Sequence, residues 1–393
     1  MKLKIIAGVC CFYSLSALAS IEWQTEQGTL KLYGDVEFNI DAASKKKQLT
    51  SLRTSANKDF DANDTDQWDI NGRILFGLDG KRELANQNYA GFSVQPLADM
   101  GGKVNLDDAS FYFGKKGDWR LRIGRYEAYD MFPLGQDTFI EYSGNTANDL
   151  YSDGFGYIYM MKEGRGRSSN GGAIELTKEL GDLNLQVNAM VKDGTSLFDH
   201  SRYHGYKLQK DKNVVYLRPI ISYRNNDISA ALAMERNVVN NAYGYHDING
   251  KWHDQSKRNG YGLTMSWNSA GDFDKSSEGL LLNSSISYLD AEQEKDFTAG
   301  INGIWKGIGL GYIYAANDIK AFNTNYRGDG EIYAKGKYKL HTVNASYLIS
   351  NVMDMDNFNI YLGTYLSRLE RDEKQGGGND NRYGARVRFK YFF

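Results

Sequence analysis

Arg120 and Arg122 alternate with Trp119, Leu121 and Ile123, and past Gly124 the chain enters a long stretch without a period. Successive residues of an extended strand point to opposite faces, so this stretch has one apolar and one cationic face. The segment that follows carries Glu127, Asp130, Asp137 and Glu141. Among them stand Tyr126, Tyr129, Phe132, Phe139 and Tyr142, with Tyr151, Phe155, Tyr157 and Tyr159 further on. Guanidinium groups facing carboxylates across a narrow gap would set up a transverse field that orders water and orients polar solutes. Aromatic faces beside such groups suit the C–H faces and hydroxyl rims of sugars. The chemistry expected here is that of a pore constriction, not of bond making or breaking. The plainer expectation is that the arginines pair with neighbouring acids and stiffen a wall.

Alternation recurs along the whole chain and supplies the elements that would hold these groups. Sixteen segments show it, near 29–40, 66–79, 89–95, 104–114, 118–126, 172–180, 183–192, 213–224, 228–238, 259–268, 280–290, 296–305, 308–317, 332–349, 358–370 and 381–393. Most have the 9–11 residues, roughly, that a tilted strand needs to cross hydrocarbon. Long polar gaps (41–65, 127–171, 193–212, 239–258, 318–331) follow odd segments, and tight ones such as Gly181-Asp182 and Lys306-Gly307 follow even segments. That parity predicts an all-β fold: a transmembrane antiparallel up-and-down barrel of 16 strands (18 if a pair is missed), with its long loops on one side. The gap 96–103 is short and 269–279 is long for this scheme. Pro219 falls inside the eighth strand, where a bulge would accommodate it.

Alternation then turns Arg73, Arg120, Arg122, Arg386 and Arg388 to the interior, since arginine facing lipid costs about 2–4 kcal/mol near the midplane. Closure pairs the last strand with the first, which puts all five on one wall. Folding of the loop at about 127–171 into the barrel would set its acids against them.

The first 19 residues read as an export leader: Lys2 and Lys4, an apolar run from Ile5 to Tyr13, and Ala17-Leu18-Ala19 before Ser20. Residues 20–393 would then form a single barrel domain. Cys10 and Cys11 leave with the leader, so the exported chain has neither disulfides nor a thiol nucleophile. Without Lys2 and Lys4, 45 basic residues remain against 49 acidic, a net of −4, which does not suit nucleic acid. Mean hydropathy is −0.56, and no apolar run after the leader is long enough for a spanning helix. No cofactor or metal motif is present. An outer-rim hydrolase would have to use Asp199, His200, Ser201 and His204, whose adjacency does not make a triad. Gly164–Asn170 is glycine-rich but precedes no helix, so phosphate cradling is not expected. Lys335, Lys337 and Lys339 share the outward face of strand fourteen and could meet lipopolysaccharide phosphates.

The hairpin Ala109–Asp130 followed by Met131–Phe139 (MFPLGQDTF) resembles the strand-four, strand-five and constriction-loop passage of Gram-negative porins, most of all the raffinose-type glycoporin family. The terminal Phe393 resembles the recognition signal of bacterial outer-membrane proteins. The resemblance implies a trimeric outer-membrane barrel that passes oligosaccharides by diffusion, without catalysis. General porins have an acidic, glycine-rich segment after the loop proline, whereas this chain has Leu134-Gly135-Gln136-Asp137, so their acidic eyelet residues do not carry over strictly.

Overall fold

The computed structural model describes residues 20–44, 67–136, 158–167, 171–198, 201–321, 323, 335–371 and 379–393. Residues 1–19, expected to be a leader, and the loop residues Asp137, Phe139, Glu141 and Tyr142 lie outside these described residues. Sixteen strands form the wall among them: β1 Gly28–Ala43, β2 Gln67–Glu83, β3 Asn88–Asp99, β4 Val104–Lys115, β5 Trp119–Arg125, β6 Gly171–Leu180, β7 Leu183–Lys192 and β8 Val214–Arg224. They continue with β9 Ile228–Asn237, β10 Arg258–Asn268, β11 Leu280–Ala291, β12 Glu294–Trp305, β13 Ile308–Ile319, β14 Gly336–Ile349, β15 Phe358–Arg371 and β16 Asn379–Phe392. Each pairs antiparallel with its sequence neighbours, and β16 pairs with β1 from Asp35↔Phe392 to Ala43↔Gly384, which closes the barrel. Closure satisfies every edge, which is what allows a sheet to sit in lipid.

The alternation read from the sequence is the alternation of exposure. Leu232, Leu263, Ile286, Ile301 and Leu310 point outward and are exposed, whereas their neighbours Ala233, Thr264, Ser287, Gly300 and Gly309 line the inside. Outward rings gather toward the two ends of the strands, with Tyr261, Tyr288 and Phe297 near the outer end and Trp267, Trp305, Tyr347 and Tyr391 near the inner end. Amphipathic rings favour the membrane–water boundary, so these belts mark the hydrocarbon thickness. No helix is long and apolar enough to cross a membrane.

Three local features differ from expectation. A short strand, Ile21–Thr25, precedes β1 and folds back on Gly28–Leu32. Pro219 causes no bulge: the β8–β9 register is the same on both sides of it, and the ladder lacks only the pairs at Arg218 and Pro219. A proline removes one donor, and the ladder tolerates that gap without a shift. The register shift lies instead at Gln95/Pro96, where Gln95 faces Asp108 and Pro96 faces Leu106, leaving Asp107 as the extra residue of β4. A bulge re-aims a side chain, and here it brings Asp107 and Asp108 to a common partner. The short outer gap is explained by β3 running on to Asp99, and the long inner turn by a 3-10 segment, Phe273–Glu278, whose Phe273 lies 4.8 Å from the Arg224 guanidinium.

Candidate functional site

The five arginines singled out by alternation all sit on the interior wall formed by β16, β1, β2 and the nearby β5. Each has a carboxylate beside it. Arg386 makes two hydrogen bonds to Asp41, at 2.6 and 2.8 Å, and Arg388 donates to Asn39 at 2.9 Å and lies 3.5 Å from Glu37. Arg73 pairs with Asp35 at 3.3 Å, Arg120 with Glu175 at 2.8 Å, and Arg122 with Asp108 at 3.3 Å. Lys390 adds a contact to Glu37 at 3.1 Å. Cross-strand opposite charges at these spacings support one another, so the wall is a ladder of mixed charge. The side chains of Arg73, Arg120 and Arg122 keep 28%, 25% and 19% of their surface exposed.

The chain leaves β5 at Gly124, whose φ of +135° suits only glycine, and turns toward the opposite wall. The outgoing and returning limbs of the loop pair with each other: Ala128 N–H donates to Arg165 O, Arg167 N–H to Tyr126 O, and Glu127 bridges Gly166. The loop's acids find cations of the same loop. Arg165 contacts Glu127 at 3.1 Å and Asp130 at 3.4 Å, and Arg167 contacts Glu127 at 3.6 Å. Arg167 also reaches the bulge, with Asp107 at 3.1 Å and Asp108 at 2.8 Å. Burial pushes the Glu127 carboxyl above its usual range, against the pull of Arg165 and Arg167. Sequence reasoning missed Arg165 and Arg167. Their signal is the GRGRSSN stretch, in which two arginines alternate with glycines.

The described loop segments lie on interior-facing residues of β7 to β14. Tyr126 is fully buried and donates to Asn188, whose amide donates in turn to Gly164 O. Arg122 stacks over its ring at 4.3 Å. Phe132 is 1% exposed and packs among Ile313, Ala315, Tyr338 and Leu340, with Ile158 and Met160 from the returning limb. Tyr129 packs with Met131, Tyr159 and Met161 on Ile220, Ala231 and Ala233. Glu235 of β9 accepts from Tyr159 OH at 2.7 Å and Gly164 N–H at 3.0 Å. Glu163 receives Arg258 of β10 through three hydrogen bonds of 2.7–2.9 Å, and Tyr216 OH at 2.9 Å. On this wall Gly260, Gly262 and Gly300 leave room for Tyr159, Met161 and Phe132; a Cβ at any of them would collide with the loop.

Ser201 and His204, weighed as catalytic candidates, belong to the next outer loop. His204 is buried, stacks on Tyr203 at 3.8 Å and lies 3.3 Å from Glu294, inside the same network as Arg258. Asp199 and His200 lie outside the described residues. Among the described residues no cluster of three or more metal-ligating side chains occurs.

A closed barrel with an apolar, ring-belted exterior and a polar interior is the architecture of an outer-membrane channel. Residues 32–393 match the porin-like glycoporin RafY family, and the chain belongs to that family. Its fold is similar to the outer membrane channel DcaP of Acinetobacter baumannii (TM-score 0.58, 13% identity, 94% of this chain and 99% of that one). It is similar also to an anion-selective porin from Comamonas acidovorans (TM-score 0.55, 14% identity, 93% and 99%). OmpT of Vibrio cholerae matches at TM-score 0.50 and 9% identity over 95% and 100%. No curated protein matches the chain in sequence.

Proposed function

We propose that this outer-membrane channel passes oligosaccharides and other small hydrophilic solutes by passive diffusion, along the β16–β1–β5 wall and past the loop between β5 and β6, which narrows the pore. The observation that carries this reading is the pairing of every wall arginine with a carboxylate. A charge-balanced ladder offers dense hydrogen-bond donors and acceptors to a polyhydroxy solute and gives a passing ion little net attraction. Fixed pairs also need little rearrangement as the solute moves. On the same reading residues 1–19 direct export and the barrels assemble as homotrimers, as the resemblance implies. Lys335, Lys337 and Lys339, exposed on the outward side of β14, would meet lipopolysaccharide phosphates.

Single-channel recording in planar bilayers tests this reading. Neutral trisaccharides should interrupt the ion current reversibly and saturably, and deletion within 137–150 should raise conductance and abolish discrimination among sugars. Open-channel current that no sugar interrupts, or conductance unchanged by the deletion, would overturn it.

A further inference from the structure

We infer that Tyr33, Tyr89 and Tyr112 form a sugar-stacking subsite in the inner half of the channel, beside Arg120 at the inner end of the arginine ladder. The inference rests on the sugar-channel reading above and places its main solute contact on the wall instead of the loop. Among the described loop rings, Tyr126 and Phe132 are consumed by packing. The three tyrosines differ from them in every respect that matters to a solute.

All three face the interior. Tyr33 OH donates to Asp79 of β2 at 3.1 Å and receives the Gln95 amide of β3 at 2.8 Å. Tyr89 and Tyr112, on β3 and β4, lie 6.2 Å apart at 58°. Odd strands run toward the outer loops, so the start of β3 and the end of β4 lie on the inner side; so does the first half of β1, where Tyr33 sits. Each ring is half-buried. The buried part has an identifiable cause. The Tyr33 ring lies over Gly77 and the phenol end of Tyr112 over Gly91, and a Cβ at either glycine would run into the ring. A ring laid against backbone keeps only its other face for a solute, and at Tyr33 the Lys31 ammonium stands 5.5 Å from the ring centroid, an amine beside that face.

The polar complement suits a neutral polyol. Asp79 has no ion-pair partner among the described residues, and its β3 partner Ser93 sits two residues from both Gln95 and Gly91. It therefore lies midway between Tyr33 and Tyr112, with a carboxylate for sugar hydroxyls. Lys81 stands 4.9 Å over the Tyr89 ring and is held by Glu83 at 3.0 Å. Asp79 stands opposite Lys31 in the β1–β2 register, so neither sign of solute is favoured, whereas ring faces with carboxylate, amide and amine groups match alternating C–H faces and hydroxyls. Gln95 and Gly91 are four residues apart, about 13 Å of strand. A solute must be several sugar rings long to touch both ends, so the subsite selects oligosaccharides over monosaccharides.

The test is current block by raffinose and maltotriose, with glucose for comparison, on channels bearing Tyr33→Ala with Tyr112→Ala, and separately Tyr112→Phe. Loss of two stacking rings should raise the trisaccharide dissociation constant about tenfold, through faster dissociation at an unchanged association rate. Tyr112→Phe, which keeps the ring, should stay within about twofold of the parent. Glucose block should be weak in all of them. A double variant that conducts ions but binds trisaccharides as the parent does would overturn the subsite and leave the channel reading intact. A parent channel that no sugar blocks would overturn both.

Discussion

The two halves of the interior use the same residue types to opposite ends. On the β16–β1–β5 side, arginines and carboxylates pair within the wall, Arg73, Arg120 and Arg122 stay partly exposed, and glycines make room for the wall's own tyrosines. On the β7–β14 side, Arg258 and Glu163 are each 1% exposed, their pair joins wall to loop, and Gly260, Gly262 and Gly300 receive the loop's rings and methionines. Charge and glycine alone therefore do not mark a working surface. What separates the halves is whether a charged pair closes on its own wall, leaving a surface for solutes, or on a second segment, leaving none.

Breaking the buried side should have the largest effect. Arg258→Ala strands Glu163 without its partner and should cost about 3–5 kcal/mol, read as a lower unfolding temperature of the detergent-solubilised barrel. Removing the charge on both sides, with Glu163→Gln added, should recover much of that loss. Next is Gly262→Leu, which fills the space of Met161 and should cost about 1–3 kcal/mol, with a rise in conductance as the loop lifts. Unchanged conductance would mean that the loop does not narrow the pore.

On the open side, Arg122→Ala should change stability by no more than about 1 kcal/mol, because its pair is partly exposed and Asp108 retains Arg167. Its visible effect should be a reversal potential shifted toward cations in a salt gradient. The smallest effect concerns the outer hairpin around Tyr243–His246 and Trp252–Asp254. There the hydrogen bond with His253, with backbone N–H groups of Lys251 and Asn249, holds Asp247 below its usual range. A depressed carboxylate stabilises the folded hairpin above its unfolded pKa and loses that contribution as pH falls through the folded value. Amide protection at Asn249 and Lys251 should thus fall on acidification below about pH 4, and Asp247→Asn should remove the dependence.

Much of the wall was legible because period 2 is a property of each strand alone. Leu263, Thr264 and Met265 tell in and out without any neighbour, and the parity of the gaps orders the strands. The arginines of β2, β5 and β16 were legible for the same reason. The loop was not, because its contacts are non-local and aperiodic. Nothing in the spacing of Glu127 and Arg165 reveals that they meet, and the burial of Tyr126 depends on Asn188, two strands away on β7. One signal was there to be read. Gly260 and Gly262 leave two successive inward positions of β10 without side chains, as a surface must when something packs on it.

The most direct test of the two-sided interior compares Ser93→Cys on β3 with Ser287→Cys on β11, both inward-facing serines in a chain whose two cysteines, Cys10 and Cys11, precede the barrel strands. Ser93 lies on the open wall, and Ser287 is fully buried beneath the loop. Added to the open channel, a charged, water-soluble methanethiosulfonate should lower the single-channel current of the first variant and leave the second unchanged. Equal reaction at both positions, or reaction at Ser287→Cys alone, would contradict the account.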